Sequence, residues 1–286
     1  MKAEPKPLPP AVLVADSITK LGEEAAGRVL VAASHGGLYP GYLAAAARLR
    51  GVIFNDAGIG LDDAGIASLA RLDDLAMPAA AVGNFSARIG NGADMIAHGV
   101  VSRVNRTADA LGCRPGNTCR ACALRMAASP FSGPAGSPPP YDEARTLLRQ
   151  GAPGEPSIWG LDSASLVRPE DAGQIVVTGS HGGLLGDRPE TALRVDALAA
   201  VFNDAGIGID RAGISRLRAL NERGVAAVTV AAESARIGDA RSAWATGRIS
   251  AANEMALRVG AYSSMGIPEF ADLVIRHRQQ RGGAQR

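Results

Sequence analysis

Three short motifs rich in polar side chains each occur twice in this chain, in the same order. They are SHGG beginning at Ser34 and Ser180, FNDAGIG beginning at Phe54 and Phe202, and SARIG beginning at Ser86 and Ser234. Histidine is the side chain whose ordinary pKa lies nearest neutrality, and a carboxylate can orient it as a general base. Because His, Asp, Ser and Arg recur together, the motifs predict a site for acid–base chemistry as well as a set of turns.

The motifs contain the parts of a hydrolytic site. We expect each histidine to act as a general base and the aspartate of the next motif to orient it. Successive side chains of a strand point to opposite faces, so the SARIG serines, or alternatively Ser17 and Ser163, are better nucleophile candidates than the serine directly before each histidine. The predicted catalytic residues are His35, His181, Asp56, Asp204, Ser86 and Ser234.

Groups that could bind a substrate accompany them. The backbone N–H groups of the two glycines after each histidine can form an oxyanion site, and an arginine can bind a carboxylate or phosphate through two parallel hydrogen bonds. These groups favour a small ligand that is anionic or contains a carbonyl group. The predicted binding residues are Ser17, Ser34, Gly36, Gly37, Asn55 and Arg88 in the first copy and Ser163, Ser180, Gly182, Gly183, Asn203 and Arg236 in the second.

The function predicted from these residues is that of a small-molecule enzyme, a hydrolase of an amide, an ester or a cyclic carbonyl compound. One alternative is a protein that binds a small carboxylate or phosphate without catalysis. Another is a lyase or isomerase that uses the same acid–base residues. The site could be shared between the two copies or present in each, and one copy could be a structural relic.

Metal binding is a weaker alternative for the same motifs. The two histidines and the two aspartates would provide a set of four ligands if the copies face each other. No short-range ligand spacing supports this arrangement, and the P-loop pattern of nucleotide-binding proteins is absent. We therefore expect no cofactor, with a divalent metal as the open exception.

Three cysteines occur only in the first copy. Cys119 and Cys122 form one CxxC pair, and Cys113 precedes them. An odd number of cysteines does not make a complete disulfide framework, and no fourth zinc ligand stands nearby. We expect them to be ordinary small residues near a helix.

An internal duplication accounts for the repeated motifs. Asn55 recurs as Asn203 and Arg88 as Arg236, each 148 positions later. SHGG recurs after only 146 positions. The loop that follows SHGG has two additional residues in the second copy, and this insertion raises the offset of the later motifs to 148. The predicted organisation is an α/β repeat at 1–128, a Pro/Gly-rich linker at 129–156 with a short helix around 142–150, a second repeat at 157–275, and a basic, frayed tail at 276–286.

Each copy alternates strand and helix patterns. RVLVAA at 28–33 and QIVVTG at 174–179 predict buried strands that end at SHGG, and other short apolar runs end at the remaining motifs. Ser102 and Ser250 are predicted to cap the last helix of each copy. The alternation predicts an α/β fold of two tandem homologous repeats, with mainly parallel sheets related by a pseudo-twofold axis. All motifs should meet at the carboxyl edge of the strands, where α/β proteins bind ligands.

Composition limits the range of partners. The chain has 286 residues, of which 47% are hydrophobic and 4% aromatic, and its formal net charge is +2. This charge predicts no broad nucleic-acid surface, and no apolar run approaches the roughly 20 residues needed to cross a bilayer. We expect a cytoplasmic protein that binds a small molecule, without nucleic-acid or membrane partners and with a homo-oligomer as an open alternative.

Overall fold

The computed structural model describes residues 7–283, without the side chains of Lys20 and of residues 281–283. It confirms an α/β protein with two mainly parallel sheets. The first sheet has the strand order β1-β2-β3-β4-β5, with β1 Val12–Ala15, β2 Val29–His35, β3 Gly51–Asn55, β4 Ala79–Val82 and β5 Val101–Val104. The first four strands are parallel, and β5 is antiparallel to β4.

The second sheet has six strands in the order β11-β10-β9-β8-β7-β6. They are β6 Arg145–Arg149, β7 Ile158–Leu161, β8 Ile175–His181, β9 Ala199–Asn203, β10 Ala226–Val230 and β11 Ile249–Ala252. Strands β7 to β10 are parallel, whereas β6 and β11 are antiparallel to their neighbours. The parallel strands therefore end at a common edge, as their order along the chain predicts.

Both faces of the sheets are buried. Along β2, Val29, Val31 and Ala33 pack into one apolar cluster and Leu30 and Ala32 into another. This two-residue alternation is that of a strand, and coverage of both faces explains the continuous apolar run. The α-helices are α1 Leu38–Ala46, α2 Ser68–Asp74, α3 Gly92–His98, α4 Arg106–Ala110, α5 Cys119–Ala128, α6 Arg216–Glu222, α7 Ala240–Thr246, α8 Glu254–Arg258 and α9 Ile267–Gly283. Within residues 7–283, no helix is both long and apolar enough to span a membrane.

The prediction that Ser102 and Ser250 cap helices is wrong. Both serines lie inside strands, in β5 and β11. The caps are Asn105 and Asn253, whose side-chain oxygens accept hydrogen bonds from backbone N–H groups three residues later, each at 2.9 Å. The same oxygen of Asn105 also accepts from the Ala79 N–H at 3.0 Å. One amide side chain thus joins the helix start to the neighbouring strand.

The predicted helix around 142–150 is also wrong, because β6 occupies residues 145–149. This strand pairs with the edge of β7. The Arg145 guanidinium binds the fully buried Asp171 carboxylate through two hydrogen bonds of 2.9 and 2.7 Å and lies 4.3 Å from the ring centre of Trp159. A long-range partner, absent from the local pattern, therefore decides the conformation of the linker.

The basic tail is helical as far as it is described. α9 continues to Gly283, and residues 284–286 lie outside the described part of the chain. Phe270, Ala271 and Val274 pack into a buried apolar cluster of the second sheet. This packing holds the helix in place, so the predicted frayed end does not begin at residue 276.

The two halves touch through their repeated motifs. The Leu61 N–H donates to the Ala232 carbonyl at 2.8 Å, and the Ile209 N–H donates to the Asn84 carbonyl at 2.9 Å. Leu61 and Ile209 are 148 positions apart in the sequence, and so are Asn84 and Ala232. A small apolar cluster of Ala57, Ala64, Ile89, Ala205 and Ile237 is buried beside these bonds.

Candidate functional site

A cavity of about 540 Å³ is lined by both halves of the chain and by the segment between them. This volume is typical of sites that bind small molecules. Its walls include Ser17, Ser34, His35, Tyr39, Tyr141, Glu143, Asp162, Ser163, Ser180, His181, Arg194, Arg216 and Arg236. The predicted histidines, four of the predicted serines and Arg236 thus lie at one cavity.

The hydrogen bonds of the two histidines define their tautomer. His35 Nδ1 accepts from the Gly37 N–H at 3.1 Å, and His181 Nδ1 accepts from the Gly183 N–H at 3.2 Å. A backbone N–H can only donate, so each Nδ1 is unprotonated and the proton of the neutral ring lies on Nε2. No described residue is hydrogen-bonded to either Nε2 atom. Both rings therefore offer a free N–H donor at the cavity.

Burial keeps the imidazoles neutral. It lowers the pKa of His35 to about 4. Burial also lowers the pKa of His181 well below its ordinary value, and the positive charge of Arg216 lowers it further. At neutral pH both rings are therefore uncharged donors, which is a different role from that of the general base expected from the sequence.

Each histidine lies against a glycine of the other half. A Cβ atom built on Gly238 would lie 3.4 Å from Cε1 of His35, and one built on Gly90 would lie 3.5 Å from Cε1 of His181. These glycines end the two SARIG motifs. The contacts explain how loops distant in the sequence assemble one cavity from two halves.

The Asn-Asp pairs of FNDAGIG stabilise a left-handed turn. Residues 57–60 all have positive φ angles between 50° and 72°, as do residues 205–208 between 50° and 68°. Such angles are strained for alanine and more so for isoleucine. The Asn55 side chain accepts from the Ala57 N–H at 2.9 Å, and Asp56 accepts from the Gly58 N–H at 3.0 Å. Asn203 and Asp204 make the matching bonds at 2.9 and 2.8 Å.

Because the two aspartates make these bonds, they do not orient the histidines. Asp56 also accepts from the Asn84 N–H at 2.9 Å and from the Ser102 hydroxyl at 2.7 Å. Asp204 accepts from the Ala232 N–H at 2.9 Å, and burial raises its pKa. Among the described residues, no hydrogen bond joins either aspartate to a histidine, and neither the aspartates nor Asn55 and Asn203 line the cavity.

The other predicted groups divide between structural and cavity positions. Ser86 donates to the Gly83 carbonyl at 2.7 Å and accepts from the Val100 N–H at 2.9 Å. Ser234 makes the equivalent two bonds, and neither serine lines the cavity. Ser34 and Ser180 do line it, and accept from the N–H groups of Ile18 and Ala164. The serines predicted as nucleophiles thus join loops instead.

The glycine N–H groups do not form the predicted oxyanion site. Those of Gly37 and Gly183 donate to the histidine rings. Those of Gly36 and Gly182 donate to the carbonyl groups of Asn55 and Asn203, at 3.2 and 2.7 Å. All four backbone donors are therefore used within the fold, whereas the imidazole Nε2–H groups of the same motifs are not.

The predicted arginines differ in position. Arg88 forms a 3.0 Å ion pair with Asp94 and does not line the cavity. Arg236 lines the cavity but binds Asp239 at 2.9 Å and Asp62 at 3.1 Å. Both cations therefore have carboxylate partners of their own, and neither is a free anchor for an anionic ligand.

Residues that the sequence did not single out complete the walls. Tyr141 and Glu143 come from the segment between the repeats, and the Tyr141 ring lies 6.1 Å from that of Tyr39. Asp162 holds this segment, since it accepts from the Ala144 N–H at 2.8 Å. The one signal in the sequence was an aromatic and acidic triplet, YDE at 141–143, within a stretch of Pro, Gly and Ser.

Glu143 is the carboxyl group best suited to proton transfer. Burial, assisted by the charge of Asp162, raises its pKa to about 7, while nearby serine hydroxyls oppose this rise. The Ser165 hydroxyl lies 3.5 Å from its Oε2 atom. A carboxyl group that titrates near neutral pH can both accept and return a proton.

Neither metal nor cysteine chemistry finds support at the cavity. In the part of the chain that the structure describes, no group of three or more His, Cys, Asp or Glu side chains could hold a metal ion. The His/Asp set considered from the sequence is therefore not assembled. Cys119 and Cys122 in α5, and Cys113 before it, are buried free thiols, and burial raises the pKa of Cys119 to about 12.

Comparison of the chain with protein-family models, curated proteins and solved structures gives no match. The fold and the cavity therefore define the chain as an α/β protein with a cavity of about 540 Å³ between its two halves.

Proposed function

We propose that this protein is an enzyme that acts on a small carbonyl compound, by hydrolysis of an amide, an ester or a ring, in the cavity between its halves. The observation that carries the proposal is the joint position of His35, His181 and Glu143 at this cavity. Two uncharged N–H donors and one carboxyl group near its titration point are a suitable set for polarising a carbonyl and transferring a proton.

The imidazoles are proposed as the electrophilic groups. Each presents Nε2–H because its Nδ1 is held by a backbone N–H. A donor aimed at a carbonyl oxygen stabilises the negative charge that develops there when the carbonyl is attacked. This role replaces the oxyanion site that the glycine N–H groups were expected to form.

Glu143 is proposed as the general base that activates a water molecule. Its pKa of about 7 matches a working pH near neutrality. The hydroxyl groups of Ser86 and Ser234 are engaged in loop hydrogen bonds. Direct attack by water therefore fits the cavity better than a covalent intermediate on either of these two serines.

We also propose that the halves are homologous repeats related by a pseudo-twofold axis that passes near Gly58 and Gly206. Support comes from the reciprocal Leu61–Ala232 and Ile209–Asn84 bonds and from the packing of Gly58 on Gly206. Contact between a residue and its own counterpart is expected at a twofold axis. The cavity would then be a single shared site, made unequal by the linker.

A panel of lactones, cyclic imides, esters and N-acyl amino acids, incubated in H₂¹⁸O and separately in D₂O, tests the proposal. Hydrolysis adds ¹⁸O to the acid product, which mass spectrometry detects. Exchange of a carbon-bound proton for deuterium without ¹⁸O uptake would assign the same residues to an isomerase or lyase. Glu143→Gln should lower the rate by about 10²- to 10⁴-fold.

Asp142→Asn, which changes the adjacent exposed carboxylate of the same segment, is the matched control and should retain the rate. His35→Asn and His181→Asn keep an acceptor for the glycine N–H and remove the Nε2 donor. Full turnover in Glu143→Gln, or in the double histidine variant, would refute the assigned roles.

A further inference from the structure

Arg216 is a buried cation that faces the cavity without a counter-ion. It begins α6, is 5% exposed and lines the cavity wall. Its Nε donates to the Gly183 carbonyl at 2.9 Å and its Nη1 to the carbonyls of Thr191 and Ala192 at 3.1 and 2.6 Å. No carboxylate among the described residues lies within ion-pair distance of it.

A buried charge is normally paired, since transfer from water is costly. Arg145 of β6, whose side chain is 13% exposed, has two hydrogen bonds to Asp171. Arg216 has only carbonyl dipoles and the face of Phe202, whose ring centre lies 5.1 Å away. Burial lowers the pKa of Arg216 to about 10, so it is still a cation at neutral pH.

The first half shows that the fold does not require this charge. The residue 148 positions earlier is Ser68. Its N–H donates to the Gly36 carbonyl at 2.9 Å, as the Arg216 N–H does to Gly182 at 2.8 Å. The Ser68 hydroxyl also bonds the Gly36 carbonyl, at 2.7 Å. A neutral side chain therefore suffices where the backbone contact is the same.

We infer that Arg216 binds the anionic group, a carboxylate or a phosphate, of the small molecule that occupies the cavity beside His181. The position of the reacting carbonyl group of that molecule rests on the proposed function. The Nη2 atom donates to none of the three carbonyls that hold Nε and Nη1, and guanidinium N–H groups bind anionic oxygens strongly. In this arrangement the anionic group of the ligand would lie beside Arg216, and its carbonyl group would lie beside the Nε2–H groups of the histidines.

The test uses the Nε–H signal of Arg216 in ¹H–¹⁵N spectra of the whole protein, assigned by its loss in Arg216→Lys. The probes are succinate, inorganic phosphate and the uncharged succinamide. We expect succinate or phosphate to shift this signal in a saturable way and succinamide to leave it unchanged. A shift with only one anion identifies which of the two chemistries the site accepts.

Calorimetric titration of the anion that shifts the signal then measures the contribution of Arg216. Arg216→Gln should weaken binding by about 10- to 100-fold, whereas Arg218→Gln, at an exposed arginine of α6 that does not line the cavity, should change it little. If Arg216→Gln fails to fold, the wild-type spectra alone decide the question. No shift with either anion, or equal affinity in Arg216→Gln, would overturn the inference.

Glu143→Gln separates this inference from the proposed function. Anion binding that persists in Glu143→Gln while turnover is lost supports both. Anion binding with turnover that does not depend on Glu143 supports the Arg216 site and refutes the catalytic role of Glu143.

Discussion

Gly58 packs against Gly206, its counterpart 148 positions later, so closely that a Cβ atom built on Gly58 would lie 2.9 Å from the Gly206 Cα atom. A Cβ atom on Gly206 would lie 3.0 Å from the Gly58 Cα atom. For Gly58 the obstacle is backbone, which cannot rotate away, whereas a Cβ atom on Gly206 would also lie 2.7 Å from the Asn84 side chain. The FNDAGIG motif thus joins the two halves as well as turning the chain.

The first prediction concerns this contact. Gly58→Ala should lower the free energy of unfolding by about 2 kcal/mol more than Gly224→Ala, because a methyl group forces the two loops apart. Gly224 is the matched control, since its φ of 71° is close to the 72° of Gly58 and a Cβ atom built on it would have no neighbour within 4 Å. Both variants share the strain of a left-handed alanine. Equal losses in urea titrations would contradict the proposed packing.

The second prediction concerns the neutral histidine. The unfolded chain binds a proton at His35 below pH 6.5, whereas the folded protein does not until about pH 4. Stability should therefore fall as pH drops from about 6.5 to about 4, by on the order of 3 kcal/mol at most from this residue. The free energy of unfolding of His35→Asn, measured by urea titration and expressed relative to its value at pH 7.5, should fall less over this pH range than that of the wild type. Parallel profiles would contradict the buried, uncharged ring.

The third prediction concerns Glu143, whose shift has the opposite sign. Between about pH 4.5 and 7 the folded protein holds a proton on Glu143 that the unfolded chain has lost. The stability of the wild type relative to Glu143→Gln should decrease as pH rises through this window, by about 1.4 kcal/mol per pH unit at most. Thermal or urea unfolding of both proteins at several pH values measures the difference. A difference that does not vary with pH would show that the carboxyl group titrates normally.

The fourth prediction concerns the linker strand. Asp171→Asn should lower the free energy of unfolding by about 3–5 kcal/mol, because it leaves Arg145 buried without its carboxylate. Asp272→Asn is the control. It breaks the ion pair between Arg149 and Asp272, whose side chains are 38% and 46% exposed, and should lower the free energy of unfolding by at most about 1 kcal/mol. Asp171→Asn should also weaken ligand binding, since β6 follows Tyr141 and Glu143 directly. Similar losses in the two variants would contradict the importance of burial.

The amino-acid sequence alone is enough to predict the α/β class, the strands that lead to SHGG, FNDAGIG and SARIG, and the meeting of these motifs at the carboxyl edges of the strands. Each of these features depends on local periodicity and on the order of strands and helices. The duplicated motifs also directed attention to His35 and His181, which the tertiary structure places at one cavity.

The hydrogen-bond partners and the burial of each polar group follow from long-range contacts that the sequence does not show. Asp56 resembles an orienting carboxylate in the sequence, but backbone N–H groups and Ser102 occupy its oxygens. Glu143 is marked in the sequence only by the YDE triplet and Arg216 by no local pattern, because their chemistry depends on burial and on partners from distant segments. A motif specifies which polar side chains are present. Long-range packing sets their hydrogen-bond partners and their burial, and these decide what each side chain can do.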